Sequence, residues 1–168
     1  MIIQTDTRQK MNQKHHKIKE NYFKSKGHTV IHSKMLVGDY CIPGKGNVVV
    51  DTKQSPTELY GNLITDHIRF RNECITAMEC NIKLYILIEN KDNINCIDDI
   101  LKWKNPQYYR YQKDLKKGIK RKPPASNQQL LKIMYSMQKK YGVEFLFCKT
   151  EVAGEIIIKL LTETEDEK

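Results

Sequence analysis

The sequence predicts one α/β domain, on three observations. Short runs rich in β-branched and aromatic residues alternate with longer segments whose apolar positions recur at helical spacing, the pattern from which α/β folds are built. One run, residues 83–89, carries Leu84, Ile86, Leu87 and Ile88 almost without interruption, which suits a strand covered on both faces. At 168 residues the chain is long enough to bury one ordinary hydrophobic core and short for two, so residues 1–168 are read as a single domain.

The elements follow in order. Residues 2–5 read as a short strand ending at Asp6. Residues 10–26 place Met11, Ile18, Tyr22 and Phe23 near helical spacing, and Gly27 stops that helix. Thr29-Val30-Ile31, Met35-Leu36-Val37, Tyr40-Cys41-Ile42 and Val48-Val49-Val50 are β-rich pieces punctuated by Gly38, Pro43, Gly44 and Gly46, which predicts a meander or hairpin. Ser55 as cap, Pro56 at the first position and Glu58 three residues after Ser55 mark a helix start, with one long helix expected to about residue 80. Beyond the strand at 83–89, residues 98–103 read as a short helix. Residues 127–141 form a longer one bearing Leu130, Leu131, Ile133, Met134 and Met137, ended by Gly142. A last strand at 143–148 alternates Val143, Phe145 and Phe147, and a helix at 153–162 closes the domain. Residues 104–126 are the one long irregular stretch, expected as a basic loop; loops of that length are usually functional or disordered.

Composition narrows the function classes. No apolar run approaches the roughly 20 residues that span a bilayer, which argues against a membrane protein. The first residues lack a basic segment followed by an apolar stretch and a cleavage site. The five cysteines contain no CxxC pair, so neither a disulfide framework nor a zinc ribbon fits, and an intracellular, cytoplasmic protein with reduced cysteines is expected. The formal charge of +9, which an acidic tail at 163–168 holds down, favours a polyanionic partner such as DNA.

Asp39 follows Gly38 at the end of one β piece, and Asp51-Thr52-Lys53 follows the run at 48–50. A strand pair turning at residues 43–46 would bring two carboxylates and one lysine together. Phosphodiester hydrolysis needs an activated water and a counter-charge for the pentavalent transition state, which a carboxylate-held divalent ion and an ammonium supply. Magnesium, a hard ion that keeps several waters, suits Asp39, Asp51 and the Thr52 carbonyl as ligands, with Lys53 orienting or deprotonating the water or stabilising the charge it generates.

Taken in order, Gly38-Asp39-Tyr40, Val50-Asp51-Thr52-Lys53, His67-Ile68-Arg69-Phe70-Arg71-Asn72-Glu73 and Leu84-Tyr85-Ile86-Leu87-Ile88-Glu89 resemble the nuclease domain of the XPF-type structure-selective endonucleases, members of the PD-(D/E)xK superfamily. Asp6-Thr7-Arg8 resembles that family's D-x-R-E element. The resemblance implies a restriction-endonuclease-like α/β core, a mixed central sheet flanked by helices, dependence on Mg2+ or Mn2+, and cleavage near junctions or flaps in DNA. It further implies Asp39 and Asp51 as metal ligands, Lys53 as the catalytic lysine, and Asp6 and Arg8 as polar members of the site. The sequence departs from the pattern at three points: Thr52 stands where the family's triplet has arginine, Gln9 replaces the glutamate after Arg8, and the acidic residue expected at Thr57 falls one place late at Glu58. The family's helix-hairpin-helix region is not found in the chain, which fits a stand-alone nuclease of viral or mobile-element type, working in the host cytoplasm if viral.

Lys102, Lys104, Arg110, Lys113, Lys116, Lys117, Lys120, Arg121 and Lys122 are opposed only by Asp114 in their segment, and Tyr108, Tyr109 and Tyr111 offer faces for stacking on unpaired bases. The DNA-binding candidates are therefore Arg110, Lys113, Lys116, Lys117, Lys120, Arg121 and Lys122, joined by Arg69 and Arg71, which two-residue spacing keeps off a common helix face. Glu58, Glu20 and His67 are further candidates for the site; the other histidines and Trp103 are read as surface and core residues respectively. Two alternatives stay open beside the structure-selective nuclease: a resolvase or restriction-type nuclease acting as a homodimer on duplex DNA, and a non-catalytic DNA-binding module that keeps the fold.

Overall fold

The computed structural model describes residues 1–8, 14–45 and 47–163. Its strands are β1 (Ile2–Thr5), β2 (Thr29–His32), β3 (Tyr40–Cys41), β4 (Val48–Lys53), β5 (Lys83–Glu89) and β6 (Glu144–Cys148). Its helices are α1 (Lys14–Ser25), α2 (Pro56–Tyr60), α3 (His67–Glu79), α4 (Pro106–Lys116), α5 (Asn127–Tyr141) and α6 (Ala153–Thr162). One sheet runs in the order β2-β1-β3-β4-β5-β6. It is mixed: β1 is parallel to β2 and antiparallel to β3, β3 is antiparallel to β4, and β4, β5 and β6 run parallel.

Strand periodicity sorts the side chains into two layers. Val49, Leu84, Ile86 and Ile88 pack against Leu59 of α2, Phe70 and Cys74 of α3, and Leu130 and Met134 of α5. On the other face Ile3, Val50 and Leu87 pack against Phe23 of α1 and Ile157 and Leu161 of α6. Leu59, Phe70, Ile86 and Leu130 have no exposed surface, and each such side chain contributes about 1.5–3 kcal/mol through burial. β5 meets helices on both sides, as its continuous apolar run requires.

The α/β class, the mixed sheet and most element positions agree with the sequence reading. Ser126 caps α5 through a capping box, and Gly142 ends that helix at φ 68°. Several expectations change. Met35-Leu36-Val37 is not a strand: Met35 and Val37 enter the core from an irregular segment whose Met35 N–H donates to Asp6. The long helix expected to residue 80 is broken, because a π-helical turn (Gly61–Thr65) follows α2, with the Asp66 N–H bonded to Gly61, before α3 begins. Phe147 is half-buried and Cys148 buried, so β6 only partly follows the expected alternation. The expected 104–126 loop contains α4, started by Asn105, whose side chain accepts from the Gln107 N–H, and by Pro106 at the first position. No residue of α4 is buried, which is why it left no apolar period to read. Gln9, Met11, Gly46 and the tail beyond Glu163 lie outside the described residues. Among the described residues no helix is long and apolar enough to cross a membrane.

Candidate functional site

Asp51 and Lys53 lie within β4 rather than after it, two residues apart and therefore on the same sheet face. Strand β3 pairs Tyr40 with Val50, and the Asp39 N–H donates to the Val50 carbonyl at 2.9 Å, so Asp39 sits just before β3 and not at the end of a preceding strand. Its Oδ2 accepts from the Thr52 N–H at 2.8 Å and from the Thr52 hydroxyl at 2.7 Å. On the other side of β3, the Asp6 N–H donates to the Asp39 carbonyl at 2.9 Å, which brings the end of β1 to the same place. A cavity of about 440 Å³ opens there, and its lining includes Asp6, Arg8, Asp39, Asp51, Thr52, Lys53, Glu58, Arg69 and Glu73.

Gly38 holds this corner together. Its φ of 64° lies in the left-handed region, and a Cβ placed on it would stand 2.3 Å from Val49 Cγ1. The bare backbone thus lets the Gly38 N–H reach Glu73 Oε1 at 2.9 Å while the next residue, Asp39, turns into the cavity.

Asp51 is buried, with 4% of its surface exposed. Lys53 Nζ lies 2.5 Å from Asp51 Oδ2, a buried ion pair. Burial, with the Asp39 and Glu73 charges adding to it, pushes the Asp51 carboxyl up to about 8 against the opposing pull of Lys53. Burial alone would lower the Lys53 ammonium, but Asp51 and Asp39 outweigh it and hold the group above its ordinary value. Burial likewise opposes ionisation of Asp6. The Arg8 side chain and the Arg8 and Met35 N–H groups overcome it, and that carboxyl lies below its ordinary range.

Of the other residues singled out from sequence, Glu58 lines the cavity while its Oε2 accepts from the Gln54 N–H, just before the Ser55 cap of α2. Arg69 lines it too, paired with Asp66 at 2.5 Å. Three are not brought there. Arg71 lines a separate groove along α5, His67 is exposed at the start of α3, and Glu20 pairs with Lys24 at 2.7 Å. Arg110, Lys113 and Lys116 lie on α4, followed by Lys117, Lys120, Arg121 and Lys122, and none of these seven lines the cavity. Arg121 is tied to Asp114 at 3.1 Å.

Sequence reasoning missed several lining residues, Glu73, Asn62, His15 and His16 among them. Glu73 was inside a quoted motif, and its helical position seven residues before Cys80 gave no sign that it would turn back to Gly38. Asn62 is brought in by the π-helical turn, and its Oδ1 is buried without a partner. His15 and His16, read as surface histidines, come from α1, whose inner face is polar: His16, Lys19 and Phe23 are its buried residues. Burial and the charges of His15 and Lys19 lower His16 to about 4, and its Nδ1 has no partner. Among the described residues, no three His, Cys, Asp or Glu side chains are grouped closely enough to hold a metal ion by themselves.

No protein-family profile matches the chain, and no curated protein matches it by sequence. Among solved structures it is similar to XPF from Aeropyrum pernix, with a TM-score of 0.62 and 18% identity over 96% of this chain and 63% of that one. It is also similar to XPF from the same organism in complex with DNA, with a TM-score of 0.62 and 17% identity over 95% of this chain and 62% of that one. The chain therefore spans less than two thirds of the length of those structures, and at this identity the likeness is one of fold.

Proposed function

We propose that the chain is a divalent-metal-dependent endodeoxyribonuclease that hydrolyses phosphodiester bonds with water and acts on branched, flapped or junction DNA. The observation that carries this reading is the convergence of Asp39, Asp51 and Lys53 in one cavity at the end of β4, on a fold shared with a protein that has been captured with DNA. The donor chemistry fits Mg2+ or Mn2+. Asp39 and Asp51 offer hard carboxylate oxygens that line one cavity, and the burial of Asp51 favours a compact cationic partner there. The Thr52 carbonyl projects to the same side of its strand as the Thr52 N–H that meets Asp39. A divalent cation held there would supply counter-charge to the pentavalent phosphate and acidify a water.

The chain's own residues do the remaining work. Lys53 is held as an ammonium by Asp51 and Asp39, so it orients the attacking water and offsets charge on the phosphate oxygens rather than serving as the base. Asp6 and Arg8 position Asp39: their pairing fixes the chain after β1, whose Asp6 N–H holds the Asp39 carbonyl. The basic segment around α4 supplies phosphate contacts away from the cavity.

The second reading, a DNA-binding module without cleavage, is favoured by the lack of a third acidic ligand grouped with Asp39 and Asp51 among the described residues. Labelled branched substrates with Mg2+ or Mn2+ separate the two. Cleavage is expected to fall at least ~1000-fold in Asp51→Ala and in Lys53→Ala, on the scale of lost electrostatic groups, and to stop with EDTA. Cutting that persists in either variant sinks the mechanism. Calorimetry with Mn2+ should show binding that Asp51→Ala abolishes, and no heat in the parent protein favours the module.

A further inference from the structure

A second cavity, of about 280 Å³, lies between the start of α4 and the start of α5 and is lined by Trp103, Lys104, Tyr108, Tyr109 and Ala125 among others. Tyr108 and Tyr109 are 53% and 58% exposed, large aromatic surfaces turned to solvent in an edge-to-face pair with centroids 6.5 Å apart. α4 itself buries no side chain. A helix of its length without core packing is marginal in water, so a partner lying on it supplies contacts the domain does not. At 100° per residue, Tyr109, Arg110, Lys113, Lys116 and Lys117 fall within an arc of about 120°, which gives α4 one cationic stripe with a tyrosine at its edge. The stripe is flanked by half-buried residues: Asp114, Gln107 and Tyr111 follow beyond Arg110 on the helix circumference, and Gln112 lies beyond Lys116. The stripe selects a polyanion, and the adjoining aromatic cavity selects one with flat apolar rings free to leave a stack.

The cavity is also linked to the Asp51 site through the backbone. α2 begins three residues after Lys53, and its Tyr60 donates to the Ala125 carbonyl at 3.2 Å and packs against Trp103, with centroids 6.2 Å apart. Ala125 and Trp103 both line the second cavity.

We infer that this cavity is a nucleobase site: it takes an unpaired base of a DNA strand whose phosphates run along the Arg110, Lys113 and Lys117 face of α4. The inference rests on the nuclease reading for its substrate and adds to it that the strand recognised is single. In a duplex the bases are stacked and paired, so a blunt duplex reaches the cationic stripe and leaves the cavity unfilled.

The test is binding without chemistry, in EDTA, using an oligodeoxynucleotide carrying 2-aminopurine, either single-stranded or annealed in a blunt duplex. The parent protein is expected to bind the single strand more tightly and to quench its fluorescence. Tyr108→Ala and Tyr109→Ala should each weaken single-strand binding by about fivefold or more, the lower end of what one stacked base contributes. They should leave duplex affinity and the salt slope unchanged. Tyr109→Phe, which keeps the ring, should bind as the parent does, and the exposure of both tyrosines lets circular dichroism verify that the fold survives. Equal affinity for duplex and single strand, or alanine variants that bind the single strand as the parent does, overturns the inference. The two readings fail separately: a protein that quenches the single strand and never cleaves keeps the base site and loses the nuclease, and one that cleaves with a silent cavity does the reverse.

Discussion

In the proposed mechanism Asp51 is the residue on which metal, proton and lysine meet. Burial holds its carboxyl above the ordinary carboxylate range against the pull of Lys53, so a cation bound there competes with a proton. Apparent Mn2+ affinity is therefore expected to rise with pH through neutrality, with protons released as the ion binds. Titration calorimetry in buffers of different ionisation enthalpy reads that proton directly, and a flat pH profile would exclude Asp51 as the ligand. His16 titrates in the opposite sense. Buried and lowered to about 4 from its ordinary 6.5, it is neutral in the fold, while the unfolded chain takes up a proton. Stability should fall as pH drops from 6.5 toward 4, at no more than about 1.4 kcal/mol per pH unit, and His16→Gln should remove that component. At this scale the D-x-K triplet was legible as a motif, but its place was read as after the strand, whereas β4 runs on through Lys53 and its alternation puts Asp51 and Lys53 on one face. The π-helical turn that delivers Asn62 and the bend that delivers Glu73 carry no residue pattern, and the polar face of α1 reads from sequence as a solvated one.

The elements divide by how much each depends on packing. α5 was readable in both its caps and its apolar stripe, since the same side chains that hold it to the sheet set its period. α4 was hidden for the complementary reason: it sends no side chain fully into the core, and Pro106 marks its start in a segment otherwise read as irregular. Its amides should therefore exchange with solvent well before those of α5, and bound single-stranded DNA should slow them; equal protection in the free protein would contradict its description as an uncovered helix. Lys116→Ala with Lys117→Ala should weaken duplex DNA binding and flatten a parent slope of log affinity against log salt near −4 to −5, the value for about five duplex phosphates, by about 1 to 2. An unchanged slope would leave the α4 surface merely solvated.

At the scale of the whole molecule, a buried ion pair ties a helical layer to the sheet. Lys19 of α1 and Glu89 at the end of β5 form an ion pair with almost no exposed surface, and Glu89 Oε2 has no hydrogen-bond partner. Lys19→Met alone should cost about 3–5 kcal/mol by leaving a buried carboxylate uncompensated, whereas Lys19→Met with Glu89→Leu should recover most of it in chemical denaturation. No sequence rule pairs residues so far apart in the chain, and the strand order was equally out of reach; only the ordered likeness of short motifs pointed to the mixed sheet. Gly38 has a consequence for any attempt to find the working parts by loss of function. In a library of single substitutions scored for cleavage, position 38 should prove as intolerant as Asp39, because every side chain placed there strikes Val49 and misaims its neighbour. A map of inactive variants would thus assign chemistry to the one residue of this corner that has no side chain with which to perform it.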